Sequence, residues 1–432
     1  MQGRGLLLGL LAVALLPGVA AAEDRGPGVR AGAVEIHPSV SLEGGYDNNV
    51  FYDSTTEGRS PPNAATVLQV GGGLTLENRN ASNIGFELAG RFLYRHLTSL
   101  DDPDGRIDDR VVEARNGLAS ASGRAMLALL PQSSVTLELH ENLRYSERPS
   151  FETTAVGFEK LDNAAGADLR FRPGGRALEL RLGYRYRVVD FLEETEAGSG
   201  RAEKNAHEAR LLTLWRWLPK TSFVVDMQYG VIDYARPQER LTADGGFVLS
   251  ADRDSRPFRL EAGLRGLLTQ RISVVAMAGY LNTFNVVGNS FNGVVGRLEV
   301  NYVVEPTLSV GVGYRHDASD SSFSNFYRLD EVFARLDLHF LSRFEVGGRV
   351  GYDFIKYDPN GAPGGIGRED PVLRAQAHAS YSVREWLSAG LEWQLENNTT
   401  EYRSPPGEAN PDLQDHADYS RQLVLLKLTA EY

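Results

Sequence analysis

The chain has 432 residues, with 45 Lys and Arg against 57 Asp and Glu, a formal net charge of −12, 42% hydrophobic residues and no cysteine. That acidity, with no basic stripe to reverse it locally, excludes nucleic acid as a partner. The missing thiols exclude disulfide frameworks, thiolate nucleophiles and Cys-based zinc sites together.

Residues 1–22 read as a secretory signal peptide. Arg4 supplies the positive start, Leu6 to Leu16 an apolar run, and Ala20-Ala21-Ala22 a small-residue cleavage site before Glu23. The run is shorter than the ~20 residues that a membrane helix needs. Residues 23–33 follow as a short periplasmic segment, and 34–432 read as one domain.

From there on the chain alternates apolar with polar residues, the period of strands with one wet and one apolar face. Strands are expected at 34–46, 66–78, 84–97, 116–130, 134–146, 161–172, 177–190, 206–218, 221–234, 257–268, 271–285, 293–304, 306–316, 327–340, 343–357, 371–383, 386–397 and 420–432. The clearest sets Leu178, Leu180, Leu182, Tyr184, Tyr186 and Val188 against Glu179, Arg181, Gly183, Arg185 and Arg187. A helix would scatter those charges around its circumference.

The connections alternate too. Short turns such as Leu218 to Thr221, Val304 to Pro306 and Phe340 to Arg343 come between mostly long polar loops such as Asp47 to Ala65, Thr98 to Arg115 and Phe191 to Asn205. An up-and-down meander puts every short turn at one end and every long loop at the other, the habit of outer-membrane barrels. The fold expected is therefore all-β: a closed antiparallel transmembrane barrel of about 18 strands, with 16 as the alternative, in the cell outer membrane. Aromatics at Tyr184, Tyr229, Tyr280, Tyr314, Tyr352 and Trp393 recur at propeller-like spacing. Each repeat holds two long strands, however, whereas a propeller blade needs four shorter ones.

The last strand ends on an aromatic, Tyr432, with Ala430, Leu428, Leu426 and Val424 on its face. This resembles the C-terminal signature read by the barrel-assembly machinery, so that machinery is an expected partner, as are outer-membrane lipid and lipopolysaccharide.

If the apolar face meets lipid, the other face lines the lumen. Its candidate lining residues are Arg91, Arg95, Arg181, Arg185, Arg187, Arg265, Arg297, Glu299, Arg335 and Arg349. Opposite charges interleaved on neighbouring strands make cross-strand pairs that stiffen a wall, and the same arginines offer hydrogen bonds to carboxylated or phosphorylated solutes. Acidic runs at Asp101 to Asp109 and Asp190 to Glu196 fall in long loops. No H-E-x-x-H, G-x-S-x-G or Walker A sequence occurs. His140, between Glu138 and Asn142, has no identifiable catalytic companions, so no enzyme activity, cofactor or metal is expected.

The phrases LTQRISVVAMAGYLN from Leu268, VEPTLSVGVGYRHD from Val304, LSRFEVGGRVGYDF from Leu341 and SVREWLSAGLEWQL from Ser382, with the opening HPSVSLEGGYDNNVF from His37, resemble the beta-barrel porin family often called type 2. The resemblance runs over essentially the whole chain after the leader. It implies an outer-membrane conduit for an exopolysaccharide, working with a periplasmic polysaccharide-export protein. The alternative is a general or substrate-selective diffusion porin for small solutes.

Overall fold

The computed structural model describes residues 28–54, 62–78, 83–101, 116–147, 159–174, 177–192, 203–235, 238–241, 247–250, 253–321, 324–359, 367–402 and 417–432. The proposed leader, Glu193 and most of the acidic loop runs lie outside them. The strands are β1 (Val29–Ala31), β2 (Val34–Asp47), β3 (Ala64–Asn78), β4 (Ile84–Asp101), β5 (Gly117–Leu129), β6 (Val135–Ser146) and β7 (Lys160–Phe171). Next come β8 (Leu178–Phe191), β9 (Lys204–Leu218), β10 (Thr221–Tyr234), β11 (Gln238–Leu241), β12 (Phe247–Ser250), β13 (Phe258–Leu267) and β14 (Ile272–Asn282). The last seven are β15 (Asn292–Glu305), β16 (Leu308–Asp320), β17 (Phe326–Phe340), β18 (Phe344–Tyr357), β19 (Glu369–Arg384), β20 (Leu387–Asn398) and β21 (Tyr419–Glu431).

Each strand from β2 to β10 pairs antiparallel with the next, β10 pairs directly with β13, the series continues to β21, and β21 pairs back onto β2. These eighteen strands form one closed barrel. β11 and β12 make a separate hairpin within the β10–β13 connection, and β1 pairs with the start of β2. At ~4.8 Å between strands and a tilt of ~40°, eighteen strands enclose a cylinder roughly 36 Å across its backbone. Side chains from the wall alone cannot fill it.

All eighteen expected strands are present, but several run further at their long-loop ends. β4 extends to Asp101, β16 to Asp320, and β9 begins at Lys204. These extensions carry polar residues on both faces, so no lipid-facing alternation marks them.

Closure hides the edges that an open sheet would expose, which is what lets strands cross lipid with every backbone group paired. Among the described residues no helix is long and apolar enough to cross a membrane. The outer surface instead exposes Leu42, Leu74, Leu182, Val294, Leu298, Val332, Leu391 and Leu426. Water would not tolerate an apolar band of that extent. Aromatics bound it: Phe171, Trp215, Trp217, Phe344 and Trp386 toward the short turns, and Tyr46, Tyr94, Tyr229, Tyr280 and Phe354 toward the long loops. Phe344 and Phe354 lie ten residues apart on β18, which at ~3.3 Å per residue and the same tilt is roughly 25 Å along the axis, the height of an outer-membrane apolar band. The chain is an outer-membrane β-barrel.

The amide of Tyr432 donates to Pro38 O at 3.0 Å, so the end of β21 and the start of β2 meet at the short-turn rim. That rim includes a turn at Leu341 and Ser342, both with φ of 52°. Positive φ at both central residues is the primed twist that a two-strand hairpin requires. Periplasmic placement of this rim has a direct test. Single cysteines at Asp101, where β4 ends, and at Glu193, in the β8–β9 connection of the sequence, should react with an impermeant maleimide on intact cells. Labelling only after the outer membrane is permeabilised would invert the orientation.

Candidate functional site

Strand alternation divides every residue of the barrel between two faces, and contacts across non-neighbouring strands show which face is concave. Arg259 of β13 pairs with Asp317 of β16, across two intervening strands, and Lys204 of β9 pairs with Asp320 at the far end of β16. Such chords can be drawn only through the interior. The face bearing Arg259 and Lys204 is therefore the lumen.

The ten lining candidates lie on this face by register. Arg91 and Arg95 lie on β4, Arg181, Arg185 and Arg187 on β8, Arg265 on β13, Arg297 and Glu299 on β15, Arg335 on β17 and Arg349 on β18. Six are paired with acids on their own strand or a nearby one. Arg187 Nε donates to Asp162 Oδ1 at 2.8 Å, Arg185 stands 3.8 Å from Glu208, and Arg181 stands 3.2 Å from Glu179. Arg335 is 3.1 Å from Glu299 and also donates to Asn301 at 2.6 Å. Arg349 pairs with Glu331 and lies 4.1 Å over the Phe333 ring, while Arg95 and Glu147 form a buried pair. Glu179 gathers Arg170, Arg181 and Arg216 around one carboxylate. Arg265 and Arg297 have no ion-pair partner among the described residues and stand exposed to the lumen. His140 lies 3.6 Å from Asp168 within the same ladder of side chains. The wall is thus a lattice of opposite charges in which two arginines remain open to solvent.

Toward the long-loop end the lumen changes character. Two segments fold inward and bury side chains that a bare cylinder would leave wet.

The first follows β2. Val50 and Phe51 pack on Ala65, Val67, Leu97, Leu423 and Leu425, which are inward residues of β3, β4 and β21. Asn49 is fully buried, its side chain donating to Ser420 O at 3.1 Å and to Asp53 O at 2.9 Å. Arg421 Nε donates to both oxygens of Asp47, at 3.1 and 2.9 Å, and its Nη1 donates to Tyr52 Oη at 3.0 Å.

The second is the tip between β16 and β17. Ser321, Ser324 and Asn325 are buried, and Ala318 and Phe326 pack with Leu281, Phe291 and Val295. Asn325 Nδ2 donates to Val287 O at 2.8 Å, Arg253 Nη1 to Ser321 O at 3.2 Å, and Tyr234 Oη to Asp320 Oδ2 at 2.8 Å. Lys204 reaches the same Asp320 carboxylate from β9. Beneath this tip lies a cavity of about 190 Å³ whose lining includes Arg185, Arg187, Lys204, Arg259, Asp320 and Asn325.

Alternation sets the lining candidates on one face of the strands, but it leaves the inward-folding segments unmarked. Lys204 and Asp320 fall just outside the expected strands, where nothing local tells a solvated loop from one that turns inward. Apolar character on both faces is the one available signal. Leu423, Val424, Leu425 and Leu426 run without a polar break, and a strand covered on both faces needs that pattern.

No family model matches the chain, and no curated protein matches it. Among solved structures it is similar to OpdQ of Pseudomonas aeruginosa, with 14% identity, 92% of this chain and 99% of that chain covered and a TM-score of 0.45. OccK3 (OpdO) of the same organism has 11% identity, 92% and 95% coverage and a TM-score of 0.46. The ferric enterobactin receptor PfeA, also from P. aeruginosa, has 9% identity, 94% and 82% coverage and a TM-score of 0.45.

Proposed function

We propose that the barrel is a selective diffusion channel for small polar and charged solutes. The observation that carries this reading is the ladder of paired charges on the lumen wall. On that wall the cavity beneath the β16–β17 tip measures about 190 Å³, below the ~300–1,000 Å³ of pockets that take drug-sized ligands. Charges of both signs around it suit dipolar or singly charged solutes, which can exchange hydrogen bonds with one wall group after another. Arg185, Arg187 and Arg259 each already have a carboxylate nearby, so a passing anion is held weakly enough to leave, as conduction requires. The chemistry is recognition and passage, with Arg185, Arg187 and Arg259 meeting acidic groups and Glu208 and Asp320 meeting basic ones.

The export reading implied by the family resemblance asks more of the same geometry. An extended glycan would have to displace both inward segments from the inner wall, and a periplasmic export partner would have to drive it.

Purified barrel in a planar bilayer, with no partner, is expected to give discrete conductance steps. Asp320→Ala frees Lys204 and Tyr234 from the chord that spans this part of the lumen, so the unit conductance should rise roughly twofold. Silence from a demonstrably folded barrel, together with loss of surface polysaccharide in a deletion strain, would move the assignment to export.

A further inference from the structure

At the short-turn rim, β2 and β3 place two glutamates directly opposite one another. Glu35 pairs with Glu77 in register, and His37 follows Glu35 on the same lumen-facing side of β2. Like charges in directly opposed positions repel. One ligand atom from each of Glu35, His37 and Glu77 lies within 4.8 Å of the others.

His37 is the informative member. It is 8% exposed, and neither Nδ1 nor Nε2 has a hydrogen-bond partner among the described residues. A neutral imidazole carries one donor and one acceptor, and a buried ring that satisfies neither loses both bonds it had in water. Backbone just ahead of β1 completes the burial. A Cβ at Gly28 would lie 2.5 Å from His37 Cε1, so the main chain at Gly28, with φ of 67°, rests against the ring edge where no side chain could. β1 then turns back along β2, bringing Arg30 to 2.7 Å from Glu35. The Arg30 side chain is 75% exposed, so this bond is readily exchanged for another cation.

We propose that Glu35, His37 and Glu77 bind a divalent transition-metal cation, with zinc as the defining ion. Imidazole nitrogen with two carboxylate oxygens is a donor set for zinc and its first-row neighbours, whereas calcium and magnesium favour oxygen alone. The three ligand atoms need only draw together by side-chain rotation to reach the ~2.0–2.2 Å bonds of a four-coordinate zinc, with water as the fourth ligand. The cation would replace Arg30 at Glu35, satisfy one orphan nitrogen of His37, and offset the opposed carboxylates. It would tie the β1–β2 hairpin to β3 at the short-turn mouth. The proposal is independent of what the channel carries.

The sequence hides this site because Glu35 and Glu77 are separated by a full hairpin, and alternation alone makes each look like one more lumen acid.

The test uses the full-length barrel in detergent, stripped with EDTA and dialysed, then titrated with Zn²⁺ by calorimetry and with Co²⁺ by visible absorption. One equivalent of saturable Zn²⁺ is expected, with d–d bands of low-coordinate Co²⁺ that Zn²⁺ displaces. His37→Ala and Glu35→Gln should each weaken binding by roughly 10- to 100-fold or more. Glu35 is partly exposed, so the Gln variant keeps the question open to measurement if His37→Ala does not fold. Heat-modifiable mobility on gels reports folding for both. No saturable binding by the folded wild-type barrel overturns the site. So does binding of unchanged affinity and stoichiometry in folded Glu35→Gln, which would assign the zinc to other residues.

Discussion

Leu182→Arg is expected to destabilise the barrel by ~2–4 kcal/mol, the cost of Arg near a bilayer midplane, whereas Arg185→Leu, three residues along the same strand, should change stability little. Leu182 is 57% exposed on the lipid face between Leu180 and Tyr184. Arg185 faces the lumen with its side chain 43% exposed and 3.8 Å from Glu208. Half-exposed pairs of that length contribute ~0–1 kcal/mol. Urea unfolding in lipid vesicles measures both variants on one scale. Because side chains alternate with period two, a register slip of one residue would exchange the two roles. Equal effects, or a larger effect at Arg185, would therefore place β8 out of register.

How far such positions could be read in advance depends on whether one local rule decides them. Along β8 the lipid supplies the rule: Leu178 to Val188 must be apolar on every second residue, and the opposite residues are free to be charged. The same constraint acts on each of the eighteen strands, which is why their number, order and facing follow from the pattern. It stops acting where strands leave the membrane. At Lys204 and Asp320 nothing apolar is required on the outer face, and their pairing depends on which way the β16–β17 tip leans. That is a long-range contact between strands separated by four others in the sheet. Val50 and Phe51 illustrate the same limit from the other side. Two apolar residues in a polar loop signal burial, but only the assembled barrel shows that they pack inward, against Leu423 and Leu425. The Glu35–His37–Glu77 cluster is set by register across a hairpin, which alternation constrains to the right face without specifying which residues oppose each other.

The seam where the barrel closes yields the other large effect. Asp47 ends β2 and Arg421 lies near the start of β21, so their forked pair joins the first and last strands of the barrel at its outer end. Both side chains are more than nine-tenths buried. Tyr52 packs 5.0 Å from the Arg421 guanidinium and 5.1 Å from the Tyr419 ring, edge to face. Close backbone approach supports the same seam, since a Cβ at Gly45 would sit 1.8 Å from Val424 O. Arg421→Ala strands the Asp47 carboxylate in that setting, and removing one partner of a buried pair costs ~3–5 kcal/mol. Arg421→Lys keeps the charge but loses the planar fork that bonds two oxygens and Tyr52 together, so it should fall between alanine and wild type. The double variant Asp47→Leu with Arg421→Met removes both charges and should recover most of the loss, because an apolar pair of similar volume avoids the desolvation that the ions incur. Thermal unfolding in vesicles gives the three values. The first loop adds a second readout, since Val50 and Phe51 are anchored beside the pair, and Arg421→Ala should let that segment leave the inner wall and raise the open-channel noise. If Arg421→Ala melts with the wild type and conducts as quietly, the pair is incidental, and closure rests on the β2–β21 backbone ladder alone.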